Sequence, residues 1–184
     1  MDSDRTKWDA KYRSADSDGA ASALVKRFAV WARRGRALDI AAGSGRHAVL
    51  LADLGFTVDA VDISGTGLGK IQEHVNIHRT CSDLDTYDIA PATYDLIVNT
   101  NFLLRRLFPL IVEGLRPGGI LIFETFLEGH TPPDGIPHRR DYLLRRNELL
   151  RAFLPLQIVY YHEWCEHASA DEMRLAALVG IQPG

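Results

Sequence analysis

The chain has 184 residues, 46% of them apolar and 24% charged, and a formal net charge of −3. This balance excludes a disordered chain, a collagen-like repeat and a disulfide scaffold. It also removes any general attraction to nucleic acid or anionic lipid, so neither is an expected partner. Cys81 and Cys165 lie too far apart in sequence to imply a framework of bridges. The first twenty residues lack the apolar centre of a signal peptide, and no run approaches the length of a membrane span. The expectation is one soluble cytoplasmic domain over residues 1–184.

Near the start, Trp8 and Tyr12 are four residues apart and share one face of a helix. Ala37-Leu38-Asp39-Ile40-Ala41 reads as a first strand, stopped by Gly43-Ser44-Gly45. A helix runs from Arg46 to Leu54, with Val49, Leu50 and Leu54 as its apolar face and Gly55 as its stop. Phe56 to Val61 is a second strand ending at Asp62, and Ser64 caps a weak, glycine-diluted helix. Residues 76–81 form a short third strand, with Cys81 as a small buried hydrophobe. Tyr94 to Val98 is a fourth strand, and Leu107 to Leu115 a helix ended by Arg116-Pro117-Gly118-Gly119. Ile120 to Phe123 is a buried fifth strand.

Strands alternating with helices predict a doubly wound α/β domain, a mostly parallel Rossmann-like sheet with ligands beyond the strands' carboxyl ends. Pro132, Pro133, Pro137, Gly129 and Gly135 make 128–141 an irregular loop. A helix over Arg145 to Phe153 follows. Two closing strands, Leu156 to Trp164 and Met173 to Val179, form a C-terminal antiparallel pair. The domain thus divides into an N-terminal segment (1–18), a core (19–127), and a loop with closing strands (128–184).

The strongest local signal is Asp39-Ile40-Ala41-Ala42-Gly43-Ser44-Gly45-Arg46-His47-Ala48. Glycines where a strand turns into a helix let backbone approach a ligand closely. Asp62 follows at the end of the next strand, placed to accept from both hydroxyls of a ribose while staying partly solvated. Glycines and this carboxylate together form a nucleotide-binding arrangement. Gly43-x-Gly45-x-x-Ala48 also satisfies the dinucleotide fingerprint of an NAD(P)-dependent oxidoreductase. Asp39 argues against that: a carboxylate four residues before Gly43 is a poor neighbour for pyrophosphate and a good one for an ammonium group.

On these residues the sequence resembles the class I S-adenosylmethionine-dependent methyltransferases, and most closely the small tellurite-resistance type. Val61-Asp62-Ile63-Ser64 is similar to the family's second motif, and Ser82-Asp83-Leu84 to its third. Tyr94 to Asn99 and Leu115 to Leu121 resemble its fourth-strand and fifth-strand segments. Lys7-Trp8-Asp9-x-Lys11-Tyr12 resembles the segment that often opens these domains. The resemblance implies S-adenosyl-L-methionine as cofactor, held by Trp8, Tyr12, Asp39, Ala41, Gly43, Gly45, Arg46, Asp62, Ile63, Asp83, Leu84 and Asn99. Asp62 would bind ribose, Ile63 would pack on adenine, and Asp83 would receive the adenine amino group. Asn99-Thr100-Asn101-Phe102 lacks the Asn-Pro-Pro-aromatic tetrad of amino-methylating relatives. A small-molecule acceptor with a soft nucleophile, a thiol or a chalcogen oxyanion, is therefore expected.

Asn101, His130, Arg139 and Arg140 are candidate acceptor-binding residues, with Arg145, Arg146 and Arg151 continuing the basic run. His130, His138 and Glu124 are the available bases. His162, Cys165 and His167 do not make a metal site, since a strand sends His162 and Cys165 to opposite faces. His74 and His78 read as a frayed surface helix. A noncatalytic binding protein on the same fold is the remaining alternative.

Overall fold

The computed structural model describes residues 2–14, 19–128, 140–163 and 175–184. Seven strands form one sheet: β1 (Arg36–Ile40), β2 (Thr57–Asp62), β3 (Ile77–Cys81), β4 (Tyr94–Thr100), β5 (Leu115–Phe126), β6 (Gln157–Glu163) and β7 (Leu175–Ile181). Their order is β3-β2-β1-β4-β5-β7-β6. The first five are parallel, while β7 runs antiparallel to both β5 and β6. The chain winds outward from β1 to β3, then crosses to β4 and winds the other way. The switch point therefore lies between β1 and β4, and folds of this kind bind ligands beyond the carboxyl ends there.

Among the described residues six α-helices accompany the sheet: α1 (Asp2–Ser14), α2 (Ala23–Phe28), α3 (Arg46–Asp53), α4 (Gly65–Leu68), α5 (Leu107–Gly114) and α6 (Glu148–Ala152). α2, α3 and Leu68 of α4 cover one face with Val58, Ala60, Leu96, Val98, Ile120 and Ile122. α5 and α6 cover the other with Leu38, Ile40, Ile97, Leu121 and Phe123. Burial on both faces explains why β4 is apolar through Leu96-Ile97-Val98 rather than alternating.

Several sequence expectations are corrected. α3 does not bury Val49, Leu50 and Leu54, which are only partly buried; His47, Ala48, Leu51 and Ala52 face inward. Two alanines on that face let the helix lie close to the sheet. Pro117-Gly118-Gly119 does not precede β5 but forms a bulge within it, between the pairs Tyr94–Leu115 and Leu96–Ile120. Only glycine fits at 119, where a Cβ would stand 2.8 Å from two carbonyl oxygens. α6 is shorter than expected because Asn147 takes φ 58° and starts it late. His74 and His78 share no helix, since His78 lies in β3, and Cys81 is exposed because β3 is an edge strand. The closing strands pair as expected and also join the main sheet. His130, His138, Arg139, Cys165, His167 and the side chain of Arg140 lie outside the described residues.

Candidate functional site

The loop between β1 and α3 begins with two residues in left-handed conformation, Ala41 (φ 55°) and Gly43 (φ 56°), and ends on Gly45 (φ 83°). Gly45 has no room for a side chain, because a Cβ there would lie 2.5 Å from Ile71. The amide of Gly45 donates to Ala42 O at 2.8 Å, and that of Gly43 donates to Asp62 Oδ2 at 2.8 Å. Asp62 Oδ1 accepts from the Ser64 amide at 2.7 Å. Asp62 is therefore not partly solvated as expected: it is 6% exposed and shapes the loop.

Asp39, on the adjacent strand, is 1% exposed. Alternation along the strands puts Asp39, Asp62, Thr100 and Glu124 on the same sheet face as Ala37, Ala60, Val98 and Ile122. Four polar side chains from four neighbouring strands thus gather near the carboxyl edge, beside the start of α3.

A second set of residues ties this edge together. His47 is 2% exposed. Its Nε2 accepts from the Ser22 amide at 3.1 Å, which places the ring proton on Nδ1, 3.4 Å from Thr100 Oγ1. Ser22 caps α2 through its hydroxyl oxygen and donates that hydroxyl to Glu124 Oε1 at 2.9 Å. Arg46 reaches across to Thr100 Oγ1 and Ala20 O, both at 3.4 Å. Sequence reasoning named Arg46 and Glu124 but missed Ser22, His47 and Thr100. The parity of apolar residues in β4 points to Thr100, and the start of an apolar helix at Ala23 marks Ser22 as its cap. Nothing local marks His47.

α1 crosses this edge. Asp9 accepts from Ser64 Oγ at 2.5 Å and from the Thr66 amide at 3.2 Å. Those two bonds, the serine's first, hold its carboxyl below the ordinary range. Trp8 and Tyr12 stack with centroids 6.2 Å apart, as their spacing predicts. Tyr12 is buried against Gly67, where a Cβ would stand 2.9 Å from the ring and 3.0 Å from Gly43 O. Tyr12 and the glycine loop thus both lie against Gly67.

The remaining candidates are more dispersed. Ile63 is half-buried beside Asp62. Asp83 Oδ1 accepts from the Asp85 amide at 2.9 Å in a turn after β3, and Leu84 is buried in the α5-side core. Asn99 donates Nδ2 to Phe102 O at 2.8 Å, closing the turn after β4. Asn101 is exposed, at φ 56°. Among the described residues no group of three or more His, Cys, Asp and Glu could hold a metal ion.

This chemistry distinguishes the two nucleotide readings. A pyrophosphate needs loop amides aimed outward, yet Gly43 and Gly45 donate theirs inward. Buried carboxylates on β1 and β2 instead suit a cation and sugar hydroxyls, so the residues fit S-adenosylmethionine. Residues 37–119 match the family model described as a methyltransferase domain. Over this stretch, less than half of its length, the chain is similar to a methyltransferase domain. TehB from Haemophilus influenzae superimposes on this chain with a TM-score of 0.73 at 19% identity, covering 96% of this chain and 67% of that one. An S-adenosylmethionine-dependent methyltransferase from Mesorhizobium loti gives 0.64 at 16% identity, with 81% and 90% covered. Phosphoethanolamine N-methyltransferase 2 from Haemonchus contortus, in complex with S-adenosyl-L-methionine, gives 0.70 at 17%, with 88% and 52% covered. No curated protein matches this chain by sequence.

Proposed function

We propose that this chain is a methyltransferase acting on a small molecule through a soft nucleophile, a thiolate or a chalcogen oxyanion. The observation that carries this reading is the latched position of α1, with Tyr12 buried over the glycine loop beneath it. A cover of that kind suits a small acceptor better than a macromolecule. The sequence Asn99-Thr100-Asn101-Phe102, which lacks the Asn-Pro-Pro-aromatic tetrad of amino-methylating proteins, supports the soft-nucleophile reading.

When bound, S-adenosylmethionine supplies a methyl group on a positively charged sulfur, which an in-line nucleophile displaces. In this reading Asp62 takes the ribose hydroxyls, Ile63 packs on the adenine, and Asp83 with Leu84 borders its amino edge. Asp39 balances the methionine ammonium, while Ala41, Gly43, Gly45 and Arg46 shape the loop beneath. Asn99 closes the wall near the methyl. Residues 1–18 act as a lid: Trp8 and Tyr12 exclude water, and the Tyr12 hydroxyl reaches the methionine carboxylate. Asn101, His130, Arg139 and Arg140 are the residues we propose for acceptor binding. Aligning nucleophile and methyl is the protein's main task, and no base is required of it. The free, exposed Cys81 thiol fits a reducing compartment, so we place the protein in the cytoplasm.

Turnover with a panel of thiols and oxyanions tests the acceptor. Methylation of a thiol or oxyanion is expected; methylation of protein or nucleic acid alone would overturn the proposal.

A further inference from the structure

A cleft of about 430 Å³ opens between α5 and α6, lined by Arg105, Phe108, Arg145, Arg146, Glu148 and Arg151. It follows the carboxyl end of β4 on the α5 side of the sheet. Arg105 follows Thr100, the last residue of β4, by five positions, a span of at most about 18 Å.

Four guanidinium groups line this cleft with one carboxylate, in a chain whose net charge is −3. That carboxylate is already engaged. Glu148 accepts from Arg105 Nε at 2.5 Å, from Arg105 Nη2 at 3.0 Å and from the Arg145 amide at 2.8 Å. Burial alone would raise its carboxyl, yet the bonds from Arg105 and Arg145 hold it below the ordinary range and keep it ionised.

The cleft is also built rigidly. Arg105 donates to the carbonyls of Asp141 and Leu143 at 2.8 and 2.9 Å, so its guanidinium is fixed on all sides. The turn carrying Arg145 and Arg146 is pinned at Asn147, whose amide donates to Glu163 at 2.7 Å. Phe108 forms an apolar wall that packs edge-on against Phe153 and Phe123, with centroids 5.2 and 5.9 Å away. A solvated helix face would need neither the fixed turn nor the aromatic wall.

We infer that this cleft binds the anionic end of the methyl acceptor, a phosphate or carboxylate carried on an apolar body. The word acceptor rests on the methyl-transfer reading; the cleft and its charge do not. Arginine forks match such oxyanions in a planar, two-point fashion, and the aromatic wall suits the body next to them.

The test is calorimetric titration of the full chain with phenyl phosphate and benzoate, against phenol and inorganic phosphate. Phenyl phosphate or benzoate is expected to bind more tightly than both controls, and less tightly as salt rises. In the Arg145→Gln/Arg151→Gln double variant that binding should weaken about tenfold or more. Binding no tighter than phenol or inorganic phosphate, or unchanged in the variant, overturns the inference. If the variant does not fold, the arginine Nε–Hε resonances of the unaltered chain decide. Shifts at Arg145 and Arg151 on adding phenyl phosphate support the site, and their absence overturns it. A parallel titration with S-adenosylhomocysteine bears only on the methyl-transfer reading, so the two failures are distinguishable.

Discussion

Ser64 donates its hydroxyl to Asp9 at 2.5 Å and its amide to Asp62 at 2.7 Å, joining the N-terminal helix to the carboxylate at the end of β2. The same hydroxyl oxygen accepts from the Gly67 amide at 3.0 Å and caps α4. One residue therefore ties the N-terminal helix and the short helix, through its hydroxyl, to the loop-shaping acid, through its amide. Ser64→Ala should leave the sheet and the amide bond to Asp62 intact and loosen the two hydroxyl contacts. The cap alone accounts for about 1 kcal/mol of stability. S-adenosylhomocysteine affinity measured by calorimetry should fall, with α1 losing hydrogen-exchange protection before any other helix.

Asp9 makes the latch sensitive to acid. Its folded-state pKa lies below the ordinary 3.8, chiefly through the Ser64 hydroxyl and then the Thr66 amide. A lowered folded pKa means that the stabilisation is complete above the unfolded value and disappears as pH falls through the folded one. The lid should therefore stay docked at pH 5, begin to loosen as pH falls past 3.8 and open as it passes the lower folded-state value. Trp8 fluorescence, recorded with Trp31 and Trp164 replaced by Phe, should report that opening. Asp9→Asn should show no such transition.

Asp62 carries more of the fold than its place at a strand end implied. Both oxygens accept backbone amides inside the protein. Asp62→Asn turns an NH2 group toward one of those amides and leaves a buried donor unmatched, at a cost of roughly 1–3 kcal/mol. Thermal unfolding without ligand should drop accordingly, and S-adenosylhomocysteine binding should weaken by about tenfold or more.

Much of this was legible in the sequence because it depends on neighbours in the chain. The Gly43–Gly45 turn, the Ser64 cap and the Trp8–Tyr12 pair are local, and all three appear where the spacing put them. What escaped depends on contacts between distant segments. Ser22 and Glu124 lie 102 positions apart, and no periodicity links them. The inward face of α3 was off by one step because His47, a polar residue, turns inward to meet Ser22 and Thr100. The length of β5 escaped for a related reason: Pro117-Gly118-Gly119 reads as a stop, and only pairing to β4 on one side and β7 on the other makes it a bulge.

His47 should behave as a structural pillar of the acceptor end. Removing its ring leaves the Ser22 amide without its acceptor and opens a cavity beside Thr100. His47→Ala should cost about 2–4 kcal/mol in urea unfolding. Ser22→Ala keeps the amide bond to His47 and loses the cap and the Glu124 contact, so about 1 kcal/mol is expected. A smaller loss for His47→Ala than for Ser22→Ala would contradict this assignment.

Gly67 offers the cleanest separation of lid docking from folding. Its φ is not in the left-handed region, and it lies within a helix, so alanine at that position should favour α4 by up to about 1 kcal/mol. Against that, the new Cβ would stand 2.9 Å from the Tyr12 ring and 3.0 Å from Gly43 O. The ring belongs to a helix held at this point by Asp9, whereas Gly43 O belongs to the loop on β1, so the ring is the partner that moves. Gly67→Ala is expected to leave the unfolding midpoint within a few degrees of the original while α1 exchanges its amides faster. S-adenosylhomocysteine should bind more weakly, and added Asp9→Asn should change little further, because the latch is already open. Full α1 protection in Gly67→Ala would show that Tyr12 has another way to seat and that the lid does not depend on this glycine.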